Sequence, residues 1–211
     1  MMLMENSDAQ SDARGSGSTG GIAASTGNWP WREVLAIALI VLTAGLVEHL
    51  LGRQLWGINK IPGIWSADTR SEHTSQFLFD PYSFTHLSHR ILLYGLTWLA
   101  AKNRPVRTRA TAAIAIEALW EVVENTPFVI QRYRAETISL HYFGDSIMNS
   151  MCDILMCLAG FLIASRLPTR LSILLVIALE VALAFWVHDG LLLNILMLIY
   201  PISAIKSWQQ M

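Results

Sequence analysis

The chain has 211 residues, of which 53% are hydrophobic and 15% charged, and its net charge is −1. That balance carries no electrostatic footprint for nucleic acid. Several apolar runs approach or exceed the roughly 18–20 residues that cross a bilayer as a helix, and the alternating segments of about ten residues that mark a membrane barrel are missing. The expected fold is all-α, a polytopic membrane helix bundle with about six transmembrane helices in a single domain over 30–211.

Residues 1–29 are mostly Ser, Gly, Thr, Asp and Asn. Such a composition cannot bury a core, which predicts a disordered N-terminal tail. No basic segment precedes the first apolar run and no small-residue cleavage site follows it, so that run is expected to be a retained helix. Helix 1 is expected over 31–51, with Trp31 at the membrane interface and Glu48 and His49 near the far end. A loop over 52–81 follows, long enough to be functional or partly embedded. Helix 2, over 82–102, opens with His86, His89 and Arg90. The basic loop KNRPVRTR leads to helix 3 over 110–130, which carries Glu117, Glu121 and Glu124 and is kinked by Pro127. A basic turn over 131–143 holds Arg132 and Arg134. Helix 4 is expected over 144–166, helix 5 over 171–187 and helix 6 over 191–205, with a tight turn at His188-Asp189-Gly190. Cys152 and Cys157 lie five residues apart on helix 4, about 8 Å along the axis, too far to bridge.

Short-loop charge sets the orientation. Lys102, Arg104, Arg107 and Arg109, then Arg166 and Arg170, then Lys206, fall on one side of a six-helix path, with Arg32 near the N-terminus. That side is expected to be cytoplasmic, with both termini inside a bacterial inner (plasma) membrane. The opposite half-layer then collects the polar residues. Glu121 and Glu124 lie roughly 16–21 Å above the inner end of helix 3, and Asp145, Asn149 and Asp153 occupy about the top 12 Å of helix 4. His86, His89 and Arg90 share that layer.

Ionisable groups inside membrane helices are costly and mark function by default. His86 and His89 share one helix face, as do Glu117, Glu121 and Glu124, and likewise Asp145, Asn149 and Asp153. His86, His89 and Glu121 are candidate ligands of a divalent metal, a set of two histidines and one carboxylate. The same groups equally serve as interhelical hydrogen bonds. Glu121, Glu124, Asp145, Asn149 and Asp153 are, with the histidines, the candidate catalytic residues, while Glu117 is the expected structural member. Arg90, Arg132 and Arg134 are candidates to hold an anionic group, or, for the last two, ordinary lipid phosphates. Arg90 is expected to pair with Glu121 or Glu124 and to approach Asp145, Asn149 or Asp153.

The motifs SQ-x3-D-x-Y-x3-H-x2-H, WE-x2-EN, RYR and GDSI-x-NS-x2-D stand between Ser75 and Asp153. Over about 75–168 the chain resembles an uncharacterised domain-of-unknown-function family of bacterial multi-pass inner-membrane proteins. That resemblance implies a membrane location and no particular chemistry. Arg90 follows His89 where the family pattern has a small residue, which makes the pocket more basic or smaller. A looser similarity is to VanZ-like membrane proteins, a family linked to glycopeptide resistance.

Three functions remain open from sequence. The first is a hydrolase or transferase acting on a lipid-linked or envelope substrate, with membrane lipids as surroundings. The second is a proton- or cation-coupled transport or binding protein. The third is a structural membrane protein whose polar groups only fix packing.

Overall fold

In a computed structural model, which describes residues 30–57, 60–137, 139 and 141–210, the described residues form eight helices and one isolated bridge between Trp65 and Phe79. The tail expected over 1–29 lies outside the described residues. Five helices are long: α1 (Trp31–Leu50), α2 (Ser83–Ala101), α3 (Val106–Glu124), α5 (Ile147–Arg166) and α6 (Thr169–Trp186), each of 18–20 residues. At 1.5 Å per residue they measure roughly 27–30 Å, close to the hydrocarbon thickness of a bilayer. Three of them, α1, α5 and α6, are also apolar enough to cross a membrane by length and composition. The short helices are α4 (Pro127–Glu136), α7 (Leu191–Ile199) and α8 (Ser203–Gln209).

Prolines cut the expected helices. The segment expected as one helix over 110–130 is two, because Thr126, the residue before Pro127, takes an extended conformation with ψ 149°. A residue preceding proline is driven out of the helical region, and Pro127 then opens α4 at a position where its missing N–H costs nothing. Pro201 acts in the same way. Tyr200 before it leaves the helical region, with φ −137° and ψ 87°, and the segment expected as one helix over 191–205 becomes α7 and α8. Part of the basic turn expected over 131–143 is the second half of α4.

The bundle is built around α5, which packs on α2, α3 and α1, with α6 flanking α2. Ile37, Val41 and Ala44 of α1, Ile114 and Ala118 of α3, and Ile154 and Cys157 of α5 form the main apolar core. Gly160 sets the closeness of α2 to α5, since a Cβ there would sit 2.5 Å from the Leu87 carbonyl oxygen. At the start of α5 the loop over 52–81 supplies acceptors. The Ile147 and Met148 N–H groups donate to the Gln54 and Leu55 carbonyls at 3.0 and 3.3 Å, and the Asn149 N–H donates to the Ser146 hydroxyl at 3.2 Å. Donors that a helix start would leave orphaned are thus satisfied by a long loop folded onto it.

Arg107 of α3 lies 3.1 Å from Glu33 of α1, so both helices start at one end. The other end gathers the finish of α1, α3 and α6 and the start of α2 and α5. Helix α7 lies across that end. Asp189, just before it, accepts from the Tyr82 hydroxyl at 3.2 Å, and Leu198 within it accepts from Arg132 Nε at 3.0 Å. Helix α8 stays there too, with Gln209 donating to Asp189 at 3.1 Å and Lys206 donating to the Ala135 carbonyl. The expected sixth crossing is therefore absent among the described residues: α7 is nine residues long and reaches only about 13 Å. Residues 30 and 210, the first and last described, lie at opposite ends of the bundle.

Polarity runs inside out. Leu35, Leu39, Leu42 and Leu46 of α1, and Leu174, Ile177, Val181 and Phe185 of α6, are exposed, while Glu48, Arg90, Glu117 and Glu121 are buried.

Gly160→Leu should lower the thermal midpoint in detergent by the equivalent of about 1–3 kcal/mol, the usual cost of overpacking. Gly95→Leu, where nothing lies within 4 Å of the added Cβ, should leave it unchanged or higher. Differential scanning fluorimetry on both variants checks this, and equal midpoints would mean that α2 and α5 are not held at this contact.

Candidate functional site

The face of α2 that carries His86, His89 and Arg90 meets Glu117 of α3. His86 Nδ1 lies 2.7 Å from Glu117 Oε1, His89 Nδ1 lies 3.4 Å from Oε2, and Arg90 Nη2 donates to Oε2. Arg90 is 0% exposed and its Nη1 donates to the Ala113 carbonyl. The effective desolvation penalty of a buried ion is several kcal/mol, so each charge of this pair depends on the other. The partner expected for Arg90 was Glu121 or Glu124, and the structure corrects that to Glu117. The reason is antiparallel packing: Arg90 lies about two turns inside α2, and going deeper along α2 means going earlier along α3. Glu117, read from sequence as the structural outlier, therefore sits at the centre.

His86 has a second side. Its Nε2 lies 3.9 Å from Asp153 Oδ2 on α5, and its Nδ1 also lies 3.3 Å from Glu121 Oε1. Asp153 Oδ1 and Glu121 Oε1 are buried with no hydrogen-bond partner among the described residues.

Asp145 is held by a different device. Gly144 adopts φ +89°, a conformation that favours glycine, and turns the chain so that Asp145 faces Asn125. The Asn125 amide then donates to Asp145 Oδ2 at 2.9 Å and accepts from the Asp145 N–H at 2.7 Å, while the Tyr142 hydroxyl donates to Oδ2 at 3.1 Å. Burial pushes the Asp145 carboxyl above its ordinary range, and the donors from Asn125, Ser75 and Tyr142 pull it back. Burial likewise raises the Asp80 carboxyl, which accepts the Ser75 and Tyr82 N–H groups, both at 2.8 Å.

A cavity of about 190 Å³ opens among these groups, between α2, α3, α5 and α7. Of the residues singled out from sequence, His86, His89, Glu124, Asp145 and Asp153 line it. Glu121 touches His86 from behind the lining. Asn149 is buried and reaches the Leu78 carbonyl at 3.5 Å, part of the tether between α5 and the 52–81 loop. Arg90 is sequestered on Glu117. Arg132 turns to the Leu198 and Ile199 carbonyls and to Glu136, and Arg134 lies over the Phe143 ring at 5.0 Å, so neither lines the cavity. Sequence reading assigned no aromatic wall, although Tyr82, Trp120 and Tyr133, which line the cavity with Tyr142, stand inside the motifs SQ-x3-D-x-Y-x3-H-x2-H, WE-x2-EN and RYR.

The donor atoms of His86, Glu117 and Cys157 come within 4.8 Å of one another, a set that shares only His86 with the expected ligands His86, His89 and Glu121. These residues do not fit a divalent ion. Glu117 already holds the Arg90 guanidinium, which would oppose a second cation on the same carboxylate, and the Cys157 thiol donates to the His86 carbonyl at 3.3 Å.

A family described as "Protein of unknown function (DUF2585)" matches residues 49–211. A UPF0314 protein of Sinorhizobium fredii is 43% identical over 185 residues, covering 86% of this chain and 91% of the relative. A UPF0314 protein of Rhizobium meliloti is 46% identical over 180 residues, 83% of this chain and 89% of the relative. One of Paracoccus denitrificans is 38% identical over 174 residues, 82% and 90% respectively. No solved structure matches the chain.

Arg90→Ala should destabilise the protein by about 3–5 kcal/mol, the cost of stranding one member of a buried pair, and adding Glu117→Gln should restore part of that loss. Chemical denaturation of the two singles and the double checks the coupling, and simple additivity would refute it. A pH effect attaches to Asp189, whose carboxyl burial raises from 3.8 to about 6. The folded state binds this proton more tightly than the unfolded chain. Its stabilising contribution is therefore full below about 3.8 and is lost as pH rises through about 6. Asp189→Asn should flatten that part of the pH–stability curve between pH 4 and 6, read as the difference in thermal midpoint between variant and parent.

Proposed function

The chain belongs to the DUF2585 family, and we propose that it is a multi-pass inner-membrane protein whose buried site performs acid–base catalysis, as a hydrolase or transferase on a lipid-linked or envelope substrate. The membrane reading is supported by the exposed leucines and isoleucines of α1 and α6 and the buried ions behind them, an arrangement that water would not tolerate but lipid favours. Lys102, Arg104, Arg107 and Arg109 precede or open α3 and Arg166 and Arg170 join α5 to α6, all at the end opposite the cavity. By the positive-inside bias that end faces the cytoplasm, so residue 30 is inside and the cavity and α8 face outward.

The observation that carries the catalytic reading is His86. Buried Glu117 holds its Nδ1 at 2.7 Å, which in the neutral imidazole fixes the proton on Nδ1 and leaves Nε2 as an acceptor at the cavity wall. Nε2 takes a proton from a water or hydroxyl in the cavity and returns it to the departing oxygen, while Asp153 beside it favours the imidazolium formed in between. Arg90 Nη2 donates to the other oxygen of the same carboxylate and holds it in place. The proton- or cation-pathway reading draws support from Glu48, buried with neither carboxylate oxygen hydrogen-bonded among the described residues. Against it, Ile114, Ile154 and Phe161, all fully buried and apolar, fill the bundle below the acids.

A strain lacking the gene, complemented with wild type, His86→Gln or Glu117→Gln at equal membrane levels, tests the proposal. Mass spectrometry of lipids and lipid-linked envelope precursors should show species altered by the deletion, restored by wild type and not restored by either variant. An unchanged profile on deletion, or full restoration by His86→Gln, would end the enzyme reading.

A further inference from the structure

The cavity's charge and shape specify what it takes. Glu124, Asp145 and Asp153 line it with His86 and His89, and among the described residues no lysine or arginine does. Asp153 is 4% exposed, lines the space, and has one carboxylate oxygen without a hydrogen-bond partner among the described residues. A buried acceptor left without a donor marks a place where a ligand supplies one. The remaining wall narrows the class. Tyr82, Trp120, Tyr133 and Tyr142 bring aromatic surface to the same space, and about 190 Å³ is far more than a bare metal ion occupies. Carboxylates together with aromatic rings are the chemistry that recognises organic ammonium groups, through charge and through the negative faces of the rings. The side formed by α7 brings Leu191, Ile195 and Leu198 beside Asn194, which suits an amphiphilic ligand.

We propose that this cavity binds an alkylammonium group, carried by a lipid headgroup or by a free amine, as the part of the substrate that the acid–base site reads; the inference rests on the catalytic reading above. A neighbouring cavity of about 270 Å³ shares Thr74, Ser139 and Tyr142 with the first and bears Arg70 and His141. Those two groups suit the phosphate of a zwitterionic headgroup entering ammonium first.

Full-length protein in detergent or nanodiscs is titrated with choline, ethanolamine and 3,3-dimethylbutanol, the uncharged carbon analogue of choline, by calorimetry and thermal shift. Choline or ethanolamine should bind at least tenfold more tightly than the neutral analogue. Asp153→Asn and Trp120→Leu should each weaken the ammonium probe by tenfold or more, with Gly95→Leu as the folded control. Native mass spectrometry distinguishes the sources. Retention of phosphatidylethanolamine or phosphatidylcholine over phosphatidylglycerol, weakened in Arg70→Ala while free choline binding is not, assigns a headgroup. Binding of choline with no lipid preference assigns a free amine. Equal binding of choline and its neutral analogue, or binding of zinc or manganese alone, overturns the inference. If ammonium binding fails while the His86-dependent envelope profile persists, the catalytic reading stands and only the substrate class falls.

Discussion

The buried contact of Glu117 with Arg90 is the constraint on which the rest of the site depends. A guanidinium at 0% exposure has no water to turn to, so α2 and α3 are locked in the register that delivers the carboxylate. Once that register is set, His86, one turn nearer the end of the bundle, meets the same acid and its neighbour Glu121, and His89, next to Arg90 in sequence, meets Glu117. The pair is a poor source of net stability, since the desolvation of both ions offsets most of their attraction. Its consequence is specificity: any slip of α3 by one turn would strand an ion in the interior.

A second constraint places the other half of the site. Helix α5 cannot start inside an apolar bundle without acceptors for its first N–H groups. The loop over 52–81 supplies them from Gln54 and Leu55, and Ser146 supplies the cap, with the Gly144 turn swinging Asp145 onto Asn125. Those contacts hold Asp153, two turns further on, opposite His86 Nε2. The acid–histidine constellation is thus assembled by one buried charge on one side and one helix start on the other, and neither depends on a loop that has to close.

Much of this was legible in the residues. The long apolar runs, the polar layer at one end, and the convergence of His86, Glu124, Asp145 and Asp153 follow from helical spacing and from alternating helix direction. What was not legible has specific causes. Helical rise gives depth along an axis but not the azimuth or tilt of a neighbour, so Arg90 was matched to Glu121 or Glu124 one turn or more too high. Pro127 was read as a kink and Pro201 lay within the range expected for helix 6, whereas each drives the preceding residue out of the helix, with α4 opening at Pro127 and α8 at Ser203. The second break turned the segment expected as a sixth helix into two short ones over the cavity end. Arg132 and Arg134 were candidates for an anionic group or for lipid phosphates, because spacing shows only that they are near the site. The structure shows them engaged with the Leu198 and Ile199 carbonyls and with the Phe143 ring.

That reassignment of the arginines changes the chemistry more than any other difference. With Arg90 held by Glu117 and Arg132 and Arg134 turned outward, the cavity keeps its acids and loses every guanidinium that could have balanced them. A cavity in a medium of low dielectric cannot sustain several ionised carboxylates without cations, so its acids must share protons, pair with His86 and His89, or wait for a cationic ligand. The first two states leave donors and acceptors mismatched at Asp153, whose second oxygen has no hydrogen-bond partner among the described residues. A ligand that brings both a positive charge and an N–H or polarised methyl group resolves the mismatch, and it does so next to the histidine nitrogen that is positioned to move a proton. Recognition and reaction would then rest on the same two helices, α2 and α5, held at the separation that Gly160 allows.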